Sequence, residues 1–295
     1  MARRLWRSFD WILLATVLLL VVYGIAMISS ATRGTQDLAN LWQRQAMYAV
    51  SGLVLMLVVA AFDYRFYENL HRPLYIFTIV LLIFVFAIGE ITQGVQRWLG
   101  ANAIQPSELA KIVVIIGLAK LLADHDGEMG HLRFLLLSLG YVLVPMTLIY
   151  LQPDLSTALM LGLIWLAMAV MAGVRLLHLS ALTAATVLAS PLIWLTFQDY
   201  MRERVLLFID PQGNPDQYYN VQQALISIGS GGWLGKGFGN GTQSQLHFLR
   251  VRHTDFIFSV ISEELGLLGA IVLFALFVIL LWRILRVAAK AQDPF

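Results

Sequence analysis

Residues 254–266 read Thr-Asp-Phe-Ile-Phe-Ser-Val-Ile-Ser-Glu-Glu-Leu-Gly and lead into an apolar run that continues to about residue 282. This run is long enough to cross the hydrocarbon core of a bilayer as a helix, which takes roughly 17–25 residues. Asp255 lies where a long polar segment meets the helix, and Glu263 and Glu264 lie within it. Because ionised carboxylates are costly in lipid, acids at such positions are usually functional or paired. The stretch therefore predicts a membrane helix with a polar site at its start.

The composition predicts an integral membrane protein with an all-α fold. The 295 residues are 59% hydrophobic and 13% charged, with a mean hydropathy of +0.75, so the chain has too few charges to cover a globular surface. We expect a polytopic helical bundle in a single membrane domain, residues 1–295. About eight transmembrane helices are predicted near residues 11–31, 45–62, 73–90, 108–123, 134–151, 155–173, 177–197 and 256–282. The fourth is the weakest, because Lys111 and Lys120 interrupt it.

The basic residues predict that the N-terminus is cytoplasmic, because Lys and Arg beside short loops are retained on that side. In this orientation the short outer segments carry only Arg33, Arg44 and Arg97, and the cytoplasmic segments carry many more. Residues 199–254 then form a large extracytoplasmic loop before the last helix. The first apolar run is too long for a signal-peptide core, so we expect it to remain as an anchor. The net charge of +2 gives no reason to expect a nucleic-acid partner.

Two polar motifs are predicted at the outer face. Gln105-Pro106-Ser107-Glu108 begins the fourth helix, and Glu108 and Lys111 lie three residues apart on one helical face, so they can form an ion pair. The pair is either structural or one wall of a cavity at membrane level. In the second motif, Gln152-Pro153-Asp154, either Asp154 or the nearby Ser156 can cap the sixth helix. Asp154 alternatively faces the same outer cavity.

The segment from 199 to 254 is long enough to be functional or to carry its own structure. Between Gly229 and Gly241 it has seven glycines in thirteen residues, with Lys236 among them, but the spacing excludes a nucleotide P-loop. Exposed glycine-loop amides and nearby cations can cradle a phosphate-bearing ligand. The alternative is a flexible, turn-rich loop with solvated charges. The cations in question are Arg202, Arg204, Lys236, Arg250 and Arg252.

The acids of the opening stretch are predicted to have different roles. At 100° per residue, Glu263 and Glu264 point away from the Asp255 face and lie deeper along the helix. Asp255 lies nearest the outer interface and can meet water and a polar substrate, whereas the glutamates are expected to find partners inside the bundle. His247 and His253 show no further ligand pattern, which argues against a histidine zinc site.

Taken together, the motifs resemble the SEDS family of shape, elongation, division and sporulation proteins. The likeness covers most of the chain in the expected order. Within the family, residues 241–246 and the short N-terminus look more like RodA, the elongation member, than FtsW, the division member. The motifs that carry the likeness are Arg97-Trp98, Gln105-Pro106-Ser107-Glu108 with Lys111, Gln152-Pro153-Asp154, Gly229-Ser230-Gly231-Gly232 with Gly235-Lys236-Gly237, Thr254-Asp255-Phe256, and Glu263-Glu264-Leu265-Gly266.

The resemblance implies a ten-helix peptidoglycan glycosyltransferase of the bacterial cytoplasmic membrane that uses lipid II. It also implies a class B penicillin-binding protein as transpeptidase partner, a place in the elongation machinery, and Asp255 as the essential aspartate. The chain departs from the family pattern at two points. Leu249 is followed by Arg250 instead of Pro-Glu, and about eight helices are present, so either two are missing or the chain is a shortened member.

We expect Asp255 to be the general base and undecaprenyl pyrophosphate to be the leaving group. Substrate contacts are expected from Glu108, Lys111, Asp154, Arg202, Lys236, Arg250 and Arg252. Structural or cavity roles are expected for Arg97, Trp98, Gln105, Ser107, Glu263 and Glu264. A divalent cation, Mg²⁺ or Mn²⁺, is a possible cofactor without an evident ligand cluster. The alternatives are a transporter of lipid-linked precursor, whose path intramembrane acids could line, and a noncatalytic scaffold that activates a partner synthase.

Overall fold

The predicted apolar runs all form helices. The computed structural model describes residues 9–35, 38–88, 90–92, 95–98, 105–125, 127–128, 130–210, 215–246, 248–249, 251–291, 293 and 295. The helices that match the eight runs are α1 (Trp11–Ala31), α2 (Leu41–Ala61), α3 (Tyr64–Ile88), α4 (Pro106–Ala123), α5 (Leu132–Leu151), α6 (Leu155–Met171), α7 (Leu176–Thr196) and α11 (Ile257–Ala288). Within the described residues, α1, α2, α3, α5, α7 and α11 are long and apolar enough to cross a membrane, and α6 is a shorter apolar helix. The all-α membrane fold is thereby confirmed.

The segment that was predicted as a long outer loop carries its own structure. It contains helices α8 (Asp199–Ile209), α9 (Pro215–Ser230) and α10 (Thr242–Gln245). A short antiparallel hairpin, β1 (Glu90–Thr92) and β2 (Val95–Trp98), precedes α4 and was not predicted. Ile91 pairs with Gln96 in this hairpin.

The chain divides into two compact units. Unit 1 comprises Met1–Ala61 and Glu203–Ala291, and unit 2 comprises Phe62–Arg202 and Gln292–Phe295. Unit 1 therefore holds α1, α2, α9, α10 and α11, whereas unit 2 holds the hairpin, α3 and α4–α7. The boundary falls within α8. The single membrane domain expected from the sequence stays a prediction.

In unit 1, α1 packs along α11 and is tied to it at successive levels. The Arg283 guanidinium donates to Asp10 Oδ2, with a shortest contact of 2.6 Å, at one end of the pair. The Tyr23 hydroxyl donates to the carbonyl of Gly269 at 3.1 Å near the middle. These contacts fix α11 against α1, so the residues that precede α11 are held at the other end of the pair.

The backbone of α11 is broken at Gly266. This residue has φ 66° and ψ −162°, which glycine adopts readily and other residues do not. The break leaves helix carbonyls and amides without their usual partners, and residues 231–237 supply them. The amides of Lys236 and Gly237 donate to the carbonyls of Glu263 and Glu264, each at 2.9 Å, and the amides of Leu267 and Leu268 donate to the carbonyls of Gly232 and Trp233 at 2.9 and 3.2 Å. An interrupted helix is tolerated at membrane depth only where protein covers it in this way.

Unit 2 is built around a core formed mainly by α4, α5 and α6. Leu118, Leu135 and Leu161 are fully or almost fully buried there. Hydrogen bonds between buried polar groups also link the helices of the unit. Trp165 Nε1 donates to Ser138 Oγ at 3.1 Å, and Gln152 Nε2 donates to the Leu82 carbonyl at 2.8 Å. The segment that leads into α6 is thereby held against α3.

We expect Gly266→Ala to destabilise the protein more than Gly34→Ala. Both glycines have positive φ, so each alanine carries a backbone strain of roughly 1–2 kcal/mol. At Gly34 a Cβ meets nothing within 4 Å, whereas at Gly266 it overlaps the backbone of Gly235 and Trp233. Thermal unfolding of the detergent-solubilised variants measures the difference. We call residues 229–241 the glycine loop. Equal melting temperatures for the two variants would contradict the packing of this loop against α11.

Candidate active site

Glu263 is fully buried and its carboxylate is saturated with donors. Oε1 accepts from a side-chain ammonium, a hydroxyl and a backbone amide, and Oε2 accepts from a hydroxyl and a further amide. The cost of burying the charge is met by these bonds, three of which come from the start of α10. The donors are Lys236 Nζ at 2.9 Å, Thr242 Oγ1 at 3.1 Å, Gln243 N at 2.9 Å, Ser227 Oγ at 3.1 Å and Ser244 N at 3.3 Å.

Glu264 is also fully buried, and it joins the glycine loop to α1. Its Oε2 accepts from Ser30 Oγ at 2.6 Å and from the amide of Gly239 at 3.0 Å. Its Oε1 has no hydrogen-bond partner among the described residues. The prediction that both glutamates find partners inside the bundle is confirmed. Neither carboxylate is available at the surface.

The glycine loop provides hydrogen-bond donors to the backbone of α11, a role that was not predicted from the sequence. The amides of Lys236 and Gly237 bind helix carbonyls of α11, so the prediction that this segment presents exposed amides is wrong for these two groups. The physical reason is the break at Gly266, which creates carbonyls in need of donors. The Lys236 ammonium also donates to Thr242 Oγ1 at 2.8 Å, in addition to its ion pair with Glu263. A substrate contact by Lys236 stays a prediction.

Asp255 has a different environment from the two glutamates. It is exposed, and it lies in the turn at 251–256 that directly precedes α11. Its carboxylate makes no hydrogen bond or ion pair with any described residue. Of the acids in the 254–266 stretch, Asp255 is therefore the one whose oxygens are open to a substrate.

Arg252 anchors the turn that holds Asp255. Its side chain is buried, with Nε donating to the carbonyl of Ala31 at 2.7 Å and an Nη donating to Thr35 Oγ1 at 2.8 Å. Burial lowers the pKa of Arg252 from its ordinary value, but that value is so high that the guanidinium stays charged. These bonds tie the turn to the C-terminal end of α1. Whether Arg252 also contacts substrate stays a prediction, and Arg250 lies outside the described residues.

A small cavity of about 160 Å³ adjoins this turn, and it brings in a residue that the sequence analysis did not select. Arg44 and Gln45 at the start of α2 line it together with His253 and Thr254, the residue before Asp255. Arg44 was considered only as a topology signal. The sequence shows a cation in the first turn of α2, where an arginine commonly reaches the membrane interface, so the local pattern alone does not single out Arg44.

In unit 2, Glu108 and Lys111 form the predicted ion pair, with Nζ and Oε2 2.7 Å apart. The Glu108 side chain is 57% exposed and the Lys111 side chain 23% exposed, so the pair lies at the surface of the unit. The first turn of α4 thus has one open face. The roles of these residues toward substrate stay predictions.

The predicted cap at α6 is confirmed. Asp154 is buried, and its carboxylate accepts from Thr157 N at 3.2 Å and Thr157 Oγ1 at 2.9 Å. Gln105 Nε2 donates to the same carboxylate at 3.0 Å, which links the start of α4 to the start of α6. Asp154 thus has donors for both oxygens. A contact between Asp154 and substrate stays a prediction.

The remaining predicted residues have varied settings. Ser107 is buried, and its hydroxyl has no partner in the described part of the chain. Arg202 lies in α8, 3.7 Å from the exposed carboxylate of Asp199. Arg97 and Trp98 belong to β2. Within the described ranges, no group of three or more His, Asp or Glu side chains could hold a metal ion.

Comparison with known proteins gives a consistent result. The family model described as cell cycle protein, FtsW/RodA/SpoVE, matches residues 8–295. The peptidoglycan glycosyltransferase MrdB of Escherichia coli strain K12 is 40% identical over 292 residues, which cover 97% of this chain and 77% of MrdB. Among solved structures, a chain of a peptidoglycan synthase complex that coordinates polymerization and crosslinking has a TM-score of 0.81 and 28% identity, over 97% of this chain and 80% of that one. The rod shape determining protein RodA of Thermus thermophilus has a TM-score of 0.67 and 26% identity, over 98% and 78% of the two chains.

The two ion pairs should differ in coupling energy. Changing Lys236 to Met leaves the fully buried Glu263 unpaired, which costs roughly 3–5 kcal/mol, and the double variant Lys236→Met with Glu263→Gln should recover much of this loss. The exposed Glu108–Lys111 pair should couple by only about 0.2–0.5 kcal/mol. Double-mutant cycles on the free energy of unfolding measure both couplings. A coupling near zero for Lys236 and Glu263 would contradict the structural role of the buried pair.

Proposed function

This chain belongs to the FtsW/RodA/SpoVE family of cell cycle proteins and is a peptidoglycan glycosyltransferase, and we propose that it polymerises lipid II into glycan strands during cell elongation. The observation that carries the proposal is the contrast among three neighbouring acids. Glu263 and Glu264 are buried and bound by the protein's own donors, whereas Asp255 is exposed and has no partner among the described residues. Asp255 is the acid that can act on a substrate.

In the proposed reaction, the 4-hydroxyl of the acceptor GlcNAc attacks the anomeric carbon of the donor MurNAc. The new glycosidic C–O bond forms as the bond to pyrophosphate breaks, and undecaprenyl pyrophosphate leaves with the electron pair. Inversion at the anomeric carbon follows from this single displacement. Asp255 takes the hydroxyl proton as general base, a role that needs a carboxylate within hydrogen-bond reach of the acceptor. The Arg252 anchor and the start of α11 hold the turn that carries it.

Negative charge develops on the departing pyrophosphate, and a positioned cation stabilises it. Lys236, Lys111 and Arg202 each have an acidic neighbour within the protein, at 2.9, 2.7 and 3.7 Å respectively. Their charge is partly balanced before substrate arrives, which favours a cation that lacks a carboxylate partner. Mg²⁺ or Mn²⁺ stays a possible cofactor. The described residues offer no cluster of three or more His, Asp or Glu side chains that fits a divalent ion.

The proposed setting is the bacterial cytoplasmic membrane, with the N-terminus cytoplasmic and the site of transfer outside. The excess of basic residues in the predicted cytoplasmic segments supports this orientation. A class B penicillin-binding protein is the proposed partner, as the transpeptidase that crosslinks the new strands, within the elongation machinery. Support comes from the likeness to a chain of a peptidoglycan synthase complex that coordinates polymerization and crosslinking.

Asp255→Asn keeps the size of the side chain and removes the base. Lipid II polymerisation should fall by about 10²–10⁴-fold, the range expected for loss of a general base, while membrane insertion and lipid II binding persist. Asp255→Glu should recover little, since a shifted oxygen no longer meets a fixed hydroxyl. Asp199→Asn is the matched control, because Asp199 is another exposed aspartate of the same segment, and it should retain activity. Glycan synthesis by Asp255→Asn at the wild-type rate would remove the proposed base.

The orientation makes a separate prediction that uses the absence of cysteine from the chain. Single cysteines at Glu128 and Asn240 should label differently in intact cells with a membrane-impermeant thiol reagent. Asn240, in the glycine loop, should be labelled, and Glu128, between α4 and α5, should be labelled only after permeabilisation. The reverse pattern would place the glycine loop and Asp255 in the cytoplasm and rule out transfer at the outer face.

A further inference from the structure

An apolar groove of about 370 Å³ runs between α1 and α2. Val17, Val21 and Ile25 of α1 form one wall, and Ala49, Gly52 and Met56 of α2 form the other. Small residues on α2 make the space, since a Cβ built on Gly52 meets nothing within 4 Å. No residue of α2 is buried in the protein. The groove is therefore a feature of the membrane-facing surface of unit 1.

The groove continues toward the candidate active site along the same two helices. The small cavity beside the Asp255 turn is lined by Ile28 of α1, one helical turn beyond Ile25, and by Arg44 of α2, which precedes the groove residues of that helix. On α2, Arg44 and Gly52 are eight residues apart, about 12 Å along the axis. The groove and the cavity thus lie along successive stretches of α1 and α2, and Arg44 and Thr254 are at the cavity.

The positive charge of Arg44, at the cavity beside Thr254, is suited to a phosphate group. The Arg44 guanidinium donates only a long 3.4 Å hydrogen bond to the Tyr48 hydroxyl and has no carboxylate partner in the described part of the chain. An arginine with a free guanidinium is well suited to bind pyrophosphate oxygens. An unpaired cation in a cavity that lies next to an apolar groove on the same two helices matches an amphiphile that has a pyrophosphate head and a hydrocarbon tail.

We propose that this groove binds the first isoprene units of the polyprenyl-linked substrate, with Arg44 beside its pyrophosphate. This inference rests on the proposed function, because that function supplies a prenyl pyrophosphate next to Asp255. An ordinary phospholipid acyl chain would also fit the apolar part. The cavity at Thr254, which lies next to the groove on the same two helices, is what favours the substrate tail. Binding there holds the scissile bond near the base and orients the donor before transfer.

Gly52→Leu tests the groove, with Gly24→Leu as the matched control. Both positions lie within transmembrane helices and leave open space around an added Cβ, but only Gly52 lines the groove. In proteoliposomes, Gly52→Leu should lower kcat/KM for lipid II with a full-length tail by about tenfold or more, since each excluded methylene weakens binding by roughly fourfold. Turnover of a lipid II analogue with a geranyl-length tail, too short to reach Gly52, should change much less. Gly24→Leu should resemble the wild type with both substrates.

A binding measurement complements the kinetics and does not depend on turnover. A photoreactive polyprenyl pyrophosphate, crosslinked in the Asp255→Asn protein, should label peptides that contain residues 46–56, and Arg44→Gln should weaken this labelling. Unlabelled polyprenyl pyrophosphate should compete, and phosphatidylglycerol should not. Equal competition by phosphatidylglycerol would show that the groove is a general lipid site and would overturn the proposal.

The outcomes separate this inference from the proposed function. If the wild type polymerises lipid II and Gly52→Leu behaves like Gly24→Leu with both substrates, the groove does not bind the substrate tail, and the proposed polymerase activity is still supported. If Asp255→Asn retains full activity while Gly52→Leu is selectively impaired with the full-length tail, tail binding in the groove is supported and the assignment of Asp255 as general base is wrong.

Discussion

The buried carboxylate of Glu263 is the centre of the interactions on which the end of unit 1 around the start of α11 depends. A charge with no exposed surface must be matched by donors, and here the donors come from α9, the glycine loop and α10. These segments follow one another in the chain, and Glu263 binds all three. The break of α11 at Gly266 adds a second requirement, because the freed backbone groups must also find partners. The hydrogen bonds to the Glu263 carboxylate and those to the backbone of α11 around Gly266 together hold the glycine loop against α11.

This arrangement explains how three acids within ten residues serve different purposes. Glu263 accepts hydrogen bonds through both carboxylate oxygens and Glu264 through Oε2, and all of these bonds come from the protein itself. Asp255 precedes the helix, where the chain leaves the bundle, and its carboxylate is exposed. Arg252 holds the turn in place by donating a hydrogen bond to the carbonyl of Ala31 at the C-terminal end of α1. The buried contacts of Glu263 and Glu264 therefore hold the structure around the site together. Asp255 takes part in none of them and is the proposed reactive residue.

The sequence predicts what depends on local pattern. Apolar length identified the membrane helices, the spacing of three residues identified the Glu108–Lys111 pair, and the position before α6 identified the Asp154 cap. These features need no knowledge of distant contacts. The resemblance to a known family supplied the reaction class and singled out Asp255, which local pattern alone could only nominate.

Other features depend on contacts between distant residues and were not predictable from local pattern. The pairing of Lys236 with Glu263 requires the loop to fold back on α11. The apolar run contains two glycines, Gly266 and Gly269, and nothing in the sequence shows that the helix breaks at Gly266. Arg44 meets Thr254 only because α2 lies beside the turn before α11. The exposure of Glu108 likewise depends on which neighbours leave one face of α4 open.

The central claim is that Asp255, and neither neighbouring glutamate, receives the proton of the acceptor hydroxyl. A structure of the protein with lipid II in the donor position and a glycan acceptor tests this most directly, through the distance from each carboxylate to the acceptor 4-hydroxyl oxygen. We expect an Asp255 oxygen at about 2.6–3.2 Å, with Glu263 still bound to Lys236 and out of reach. An acceptor hydroxyl bound to Glu263 or Glu264, or one far from every Asp255 oxygen, would contradict the account.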